Sequence, residues 1–271
     1  MRITSIASGS SGNCIYVGTD ATHLLVDVGI SGKRILSGIE QLDLSIRDID
    51  GILITHEHAD HIYGLGVISR KYGIPIYATP KTKEAIMNCK NIGYIDKDLF
   101  VDVQADTKLS IKDITVNPMK ISHDAADPVA YRFIHGKNRI SVVTDLGTYT
   151  DYTVESLKNN DVLFLEANHD VNMLQVGPYP YYLKQRILGE RGHLSNENAG
   201  SLLGKVLNDN MKAVFLGHLS KENNMPELAY ESVRCEVNIM QLRSDYDGIK
   251  ISDIPIYVAK RDSISQIVEI A

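Results

Sequence analysis

The chain has 271 residues, 44% of them hydrophobic and 23% charged, with 20 glycines and 8 prolines. That balance excludes a disordered, collagenous or coiled-coil protein and is enough for a large core. A formal net charge of −6 excludes the global basic footprint of a general nucleic-acid binder.

In chain order, strand patterns cover Arg2–Ala7, Cys14–Gly18, His23–Asp27 and Gly51–Thr55, with a helix at Gly32–Gln41 between the last two. One helix is expected from Ala59 to Tyr72, then a short strand Pro75–Ala78 and a helix opening at Pro80, where proline suits the first turn. From Leu99 to Thr144 the pattern is a strand meander broken by Asp, Asn and Gly turns. Leu163–Glu166 reads as a buried strand, Tyr181–Leu188 as a helix, and Asn196–Leu207 as a helix capped by Ser195. Lys212–Leu216 is a strand, Pro226–Met240 a helix, and Ile256–Val258 a last short strand after Pro255. No repeat, low-complexity tract or Pro/Ser-rich linker interrupts the chain, so the expected organisation is one domain over 1–271. The strands fall into two blocks, each followed by helices. Two mixed sheets packed face to face with helices outside would satisfy that order.

No apolar run approaches the ~18 residues a membrane span needs. Met1-Arg2-Ile3-Thr4 leads straight into a strand pattern rather than a signal peptide. Cys14, Cys89 and Cys235 form neither an even framework nor a CxxC pair, which fits a reducing compartment. The expected location is the cytoplasm.

Nine histidines beside no tryptophan are the informative part of the composition. The apolar strand Gly51-Ile52-Leu53-Ile54-Thr55 ends at His56-Glu57-His58-Ala59-Asp60-His61. On an ideal helix, positions 56 and 58 would point about 200° apart and could not share a metal. In a strand-to-helix turn they can converge, leaving Asp60 and His61 for a second ion. Imidazole and carboxylate together suit zinc, manganese or iron. The alternative is a polar helix start with solvated histidines.

His56-x-His58-x-Asp60-His61 resembles the signature of the metallo-β-lactamase superfamily, whose α+β fold is a four-layer αββα sandwich. The superfamily also requires a later His, an Asp and a final His. His123 ends a strand in Met119-Lys120-Ile121-Ser122-His123, Asp145 closes Ile140–Asp145, and His218 ends Ala213–His218. The resemblance implies that His56, His58 and His123 hold one divalent cation and that Asp60, His61 and His218 hold the other. Asp145 would bridge them, with a water or hydroxide between. Two such ions lower the pKa of that water and clamp the attacking and leaving oxygens. Asp27, after Leu24-Leu25-Val26, resembles the carboxylate that fixes the tautomer of a ligating histidine; a plain strand-end turn residue is the other reading.

Three segments resemble the phosphodiesterase branch. His218-Leu219-Ser220 matches its His-x-Ser ending, which places Ser220 behind the ligands. Gly192-His193-Leu194-Ser195 and Leu165-Glu166-Ala167-Asn168-His169-Asp170 resemble the loops of transfer-RNA 3′-processing endonucleases that place a histidine beside the scissile phosphate and a carboxylate behind it. A departing alkoxide needs a proton, which His193 would deliver with Glu166 holding it, and Asp60 would assist as a proton acceptor. A thiolate needs no such help. His193 otherwise decorates a helix start, and His169 is a donor behind a ligand or a surface residue.

The whole chain resembles the WalJ/YycJ family of bacterial metallo-β-lactamase-fold proteins. The resemblance is carried by Ser8-Gly9-Ser10-Ser11-Gly12-Asn13-Cys14, the ligand motifs, Glu166–Asp170, Tyr179–Ile187, Gly192–Asn196 and His218–Asn224. It implies 5′→3′ exonuclease activity on DNA. A cyclic or nucleotide phosphodiesterase is the alternative substrate class, and thioester or lactone hydrolysis a more distant one. Lys184 and Arg186, with Arg191 and Lys221, would neutralise phosphates. Tyr181, with Tyr179 and Tyr182, would stack a terminal base or pack on a helix. Asn13 and Asn223 complete the expected substrate contacts. DNA is the expected partner, no membrane is, and a homodimer is the expected assembly.

Overall fold

Among the described residues, 1–243 and 248–271 of a computed structural model, the strands form two seven-stranded mixed sheets. Contacts within the chain divide it into two units. The first comprises Met1–Lys120, Ala125–Asn138 and Lys260–Ala271; the second comprises Ile121–Asp124 and Arg139–Ala259.

In the first unit, β1 (Arg2–Ala7), β2 (Cys14–Gly18) and β3 (His23–Val26) run antiparallel, with the C-terminal strand Val268–Glu269 on the outer edge of β1. From β3 onward the sheet turns parallel through β4 (Gly51–Leu53), β5 (Ile76–Ala78) and β6 (Phe100–Asp102). β4 and β5 are nearly continuous apolar runs, as parallel strands buried on both faces must be, while β6 at the sheet edge exposes Val101 and Asp102. The register pairs Val26 with Leu53 and Leu53 with Tyr77, so β3 and β4 end side by side. Helix α1 (Gly32–Glu40) is capped by the Ser31 side chain and buries Ile35, Gly38 and Ile39. The helix expected over 59–72 is two: α2 (Ala59–Ile62) and α3 (Leu65–Tyr72). Gly64 separates them because its N–H donates to Val28 O at 2.8 Å, and a Cβ there would lie 2.4 Å from Ile30 O. Helix α4 (Pro80–Asn88) opens at its proline as expected. The strands β7 (Leu109–Ile111), β8 (Ile114–Lys120) and β9 (Val129–His135) form the expected antiparallel meander.

In the second unit, β10 (Asn138–Val143), β11 (Val162–Glu166), β12 (Ala213–Gly217) and β13 (Ile256–Val258) are all parallel. Val143 pairs with Leu165, Leu165 with Leu216, and Leu216 with Val258. The chain therefore leaves β10, β11 and β12 at one level, and the carboxyl ends of parallel strands are where ligands bind in such sheets. Helices α5 (Asp151–Leu157) and α6 (Val171–Val176) were not expected; at seven and six residues they are too short to show a periodicity. Helices α7 (Tyr181–Leu188), α8 (Asn196–Val206) and α9 (Pro226–Arg243) fall where the pattern puts them, α9 running three residues further. Among the described residues, no helix is long and apolar enough to cross a membrane.

Candidate metal centre

In the first unit, β4 delivers the chain to His56, and α2 carries Asp60 and His61 in its only turns. His56 and His61 are fully buried. The His56 ring lies 4.6 Å from that of His58 and 4.1 Å from that of His61, centroid to centroid. The turn has converged the three imidazoles as a strand-to-helix connection can and a helix cannot. Asp27 Oδ2 accepts from His61 Nδ1 at 2.7 Å, while Asp27 Oδ1 accepts from Thr55 N at 2.9 Å. Thr55 Oγ1 donates to Asp27 Oδ2 at 2.9 Å and sits 3.0 Å from His56 Nδ1. With Nδ1 engaged, His61 offers Nε2 to a metal, and that nitrogen is 3.5 Å from Asp60 Oδ2. Burial pushes the Asp27 carboxyl above its ordinary range, against the pull of His61 and Thr55.

The loop after β1 meets this turn through the backbone. Asn13 N donates to Asp60 O at 2.8 Å and Gly29 N to Asn13 O at 2.7 Å. A Cβ on Gly29 would fall 1.6 Å from Asp60 O, so only glycine lets the two segments approach.

In the second unit, His123 Nδ1 lies 3.0 Å from Gly192 O. A carbonyl can only accept, so Nδ1 carries the proton and Nε2 is the available ligand atom. Glu166 is fully buried at the end of β11. Its Oε1 accepts from His193 Nδ1 at 2.8 Å and His218 Nδ1 at 2.7 Å, while Oε2 accepts from the backbone of Leu146 and Leu194. His123 Nε2 and His218 Nε2 approach Asp145 Oδ1 at 3.6 and 3.7 Å. Asp145, Glu166, His193 and His218 bring one donor atom each within 4.8 Å of one another.

Electrostatically, burial alone would raise the Glu166 carboxyl. The charge of His193 and the hydrogen bonds from both imidazoles outweigh it and hold the carboxyl below its ordinary range. Burial in turn lowers His193, but Glu166 wins and lifts the imidazole above its ordinary range. Ligating histidines characteristically donate their second N–H to a carboxylate or carbonyl. His61, His123 and His218 all do so, toward Asp27, Gly192 O and Glu166. Mixed imidazole and carboxylate donors of this kind fit a divalent transition-metal cation.

Asp27, Asp145 and His218 share a backbone feature: φ values of 58°, 58° and 56°. Left-handed conformations are uncommon outside glycine and concentrate at functional sites. Each lies one or two residues past the end of a strand, where the backbone leaves the extended conformation, which is why β3 stops at Val26, one residue before the expected end.

The residues expected to contact substrate or to stand behind the ligands have these surroundings. Asn13 is fully buried, its Nδ2 toward Gly9 O at 3.2 Å and His61 Nε2 at 3.4 Å, where it braces the turn. Asn223 is also fully buried, its backbone carbonyl accepting from Asp170 N. Ser220 does not stand behind a ligand; its Oγ accepts from Asn223 N at 3.2 Å. Behind His218 stands Asn168 instead, donating from Nδ2 to His218 O at 2.9 Å. Lys184 Nζ donates to Gln175 O, and Arg186 forms an ion pair with Asp124 at 2.5 Å, so both are held on the surface of α7. Tyr181 is 77% exposed. His169 is buried, not a surface residue. Sequence reasoning missed Thr55 and Asn168. Each adjoins a motif residue, but only a side-chain direction separates such neighbours from filler.

Comparison with known proteins places the chain in a family. Residues 22–218 match the family model described as a beta-lactamase superfamily domain. The exodeoxyribonuclease WalJ of Streptococcus pneumoniae strain D39 is 40% identical over 269 residues, covering 99% of this chain and 98% of the relative. The exodeoxyribonuclease YycJ of Bacillus anthracis is 44% identical over 234 residues, covering 86% and 88%. Among solved structures, Zn(2+)-bound PqqB from Methylobacterium extorquens superposes with a TM-score of 0.72 over 100% of both chains at 15% identity, a likeness of fold.

Proposed function

Because the chain belongs to the β-lactamase superfamily, in the family of the WalJ and YycJ exodeoxyribonucleases, we propose that it hydrolyses DNA phosphodiester bonds from a strand end in the 5′→3′ direction. The proposed ligand set is the one the motifs imply: His56, His58 and His123 for one divalent cation, Asp60, His61 and His218 for the other, and Asp145 shared. Zinc or manganese fits these donors best, with iron also accommodated. Bound there, such ions acidify a water and neutralise phosphate charge. The domain spans 1–271, in keeping with relatives matched over almost their whole length. We assign the enzyme to the cytoplasm, where its proposed substrate resides.

The chain's own residues have distinct tasks. Asp27 and Thr55 orient His61, and Glu166 orients His218. The same carboxylate favours the protonated form of His193, whose Nε2 can then donate to the departing alkoxide. Asp60 takes up a proton on the attacking side. Tyr181, on an exposed stretch of α7, offers a base-stacking surface beside Lys184 and Arg186.

One observation carries the choice of phosphodiester over thioester: the His193 Nδ1–Glu166 Oε1 contact of 2.8 Å. A poor leaving group needs a held proton donor, and a thiolate does not. The test is an assay of purified, metal-loaded protein on single- and double-stranded DNA with 5′-phosphate or 5′-hydroxyl ends, beside a cyclic nucleotide and a thioester. Mononucleotide release from a 5′ end supports the reading. Thioester turnover without DNA cleavage overturns it.

A further inference from the structure

Beside Asp60 the first unit opens a pocket of about 500 Å³ that the chemistry above leaves unused. Its polar lining is Ser10 and Ser11 from the loop after β1, Ser31 and Arg34 from the start of α1, Asp60, and Tyr63 after α2. That volume lies within the roughly 300–1,000 Å³ of small-ligand sites.

Its hydrogen-bonding capacity is lopsided. Ser31 Oγ accepts from Arg34 N at 3.4 Å and Ser11 Oγ accepts from Arg261 Nη1 at 3.3 Å, so both retain a hydroxyl proton to give. Ser10 is exposed and makes no hydrogen bond among the described residues. Arg34 uses Nη2 for Asp262 at 3.2 Å and for Arg261 O at 3.0 Å, leaving the Nε and Nη1 donors of its planar fork. Against three hydroxyls and half a guanidinium stands one acceptor side chain in the lining, Asp60, which the proposed chemistry commits to a cation. Donors in that excess call for an anionic ligand. Tyr63 adds an aromatic ring 63% exposed at the same pocket, a stacking platform next to the anion donors. Anion donors and an aromatic ring lining one pocket suit a phosphate joined to a planar base, that is, a nucleotide.

We infer that this pocket is a nucleotide subsite: Arg34 with Ser10, Ser11 and Ser31 takes a phosphate of the DNA strand, and Tyr63 stacks the attached base. The assignment rests on the proposed function, because it is the nearness of Asp60 that makes the occupant part of the strand being cut. Arg34 and Tyr63 are binding residues in this scheme. They place the strand and leave the bond-breaking step to other groups.

The experiment uses the full, metal-loaded chain and two readouts. Thymidine 5′-monophosphate binding is measured by isothermal titration on wild type, Arg34→Gln, Tyr63→Ala and Ser10→Ala. Steady-state kinetics on a 5′-phosphorylated oligonucleotide is measured on the same four proteins. Arg34→Gln and Tyr63→Ala should each weaken nucleotide binding at least tenfold and raise KM for the oligonucleotide in parallel, with kcat within about threefold. Ser10→Ala, at an exposed position without hydrogen bonds, cannot unfold the chain and should weaken binding two- to fivefold. Nucleotide affinity within twofold of wild type in all three variants overturns the subsite. If wild type cleaves no DNA at all, the proposed function fails, and the titration still decides the pocket.

Discussion

His193 and His218 hang from the same atom: Glu166 Oε1 accepts from both Nδ1 nitrogens, at 2.8 and 2.7 Å. One buried carboxylate therefore orients a proposed metal ligand and a proposed proton donor together. Its other oxygen is fixed by two backbone N–H groups, so neither imidazole can turn without disturbing the other.

Two substitutions separate those duties. His193→Ala should lower kcat on DNA by ~10²–10⁴-fold, the usual size of a lost general acid, with metal content intact. Glu166→Gln should lower kcat and also weaken metal binding ~10–100-fold, because His218 loses its anchor. Elemental analysis beside steady-state kinetics checks both. A loss under threefold for His193→Ala removes its assigned role.

Asp27 touches His61 and Thr55 from a fully buried position and offers nothing to a substrate. Asp27→Asn should therefore act through metal affinity, ~10–100-fold weaker in a chelator competition, with kcat largely restored at saturating metal. Loss of kcat that added metal does not recover would contradict this.

His169 predicts a pH dependence of stability. Burial holds its imidazole at about 4, well below the ordinary 6.5. Below pH 6.5 the unfolded chain binds a proton that the folded chain refuses, so stability is full above 6.5 and declines as pH falls toward 4. By linkage the loss is ~2 kcal/mol between pH 7 and pH 5. Urea unfolding of His169→Gln at the two pH values should show a fall smaller by about that amount than wild type. Identical pH slopes would rule it out.

Asn196 and Asn224 form a reciprocal amide pair, at 3.0 and 2.9 Å, in a buried setting. Asn224 Nδ2 also donates to Ala167 O and Asn168 O, tying the loop after β12 to the loop after β11. Asn224→Ala strands several buried groups and should cost ~2–4 kcal/mol in unfolding free energy. The double variant with Asn196→Ala should cost clearly less than the sum, since each single change orphans the other amide. Strict additivity in denaturant titrations would show that the pair is not coupled.

Most strands and the longer helices were legible because burial imposes a period on composition, and a long element repeats it often enough to read. Helices α5 and α6 were not, because six or seven residues hold fewer than two full turns of evidence. The single helix expected over 59–72 broke for a reason no periodicity carries. Gly64 finds its hydrogen-bond partner in Val28, thirty-six residues earlier in the chain.

The site divides along the same line. The proposed ligands His56, His58, Asp60 and His61 stand out in the sequence because imidazoles and a carboxylate in a strand-to-helix turn are a local event, written in adjacent letters. The proposed ligands His123, Asp145 and His218 stand out because strand ends do. Asn13, Ser220 and Asn223 belong to the right motifs and yet turn inward. The letters name a residue type, while the direction of its side chain depends on backbone torsions and on neighbours far along the chain. The sequence by itself determined the chemistry available: imidazoles and carboxylates at the ends of apolar strands. Only the tertiary structure decided the division of labour, making Glu166 serve two histidines and Asn13 a brace, because hydrogen bonds are shared by distance and direction, and neither exists until the strands have paired.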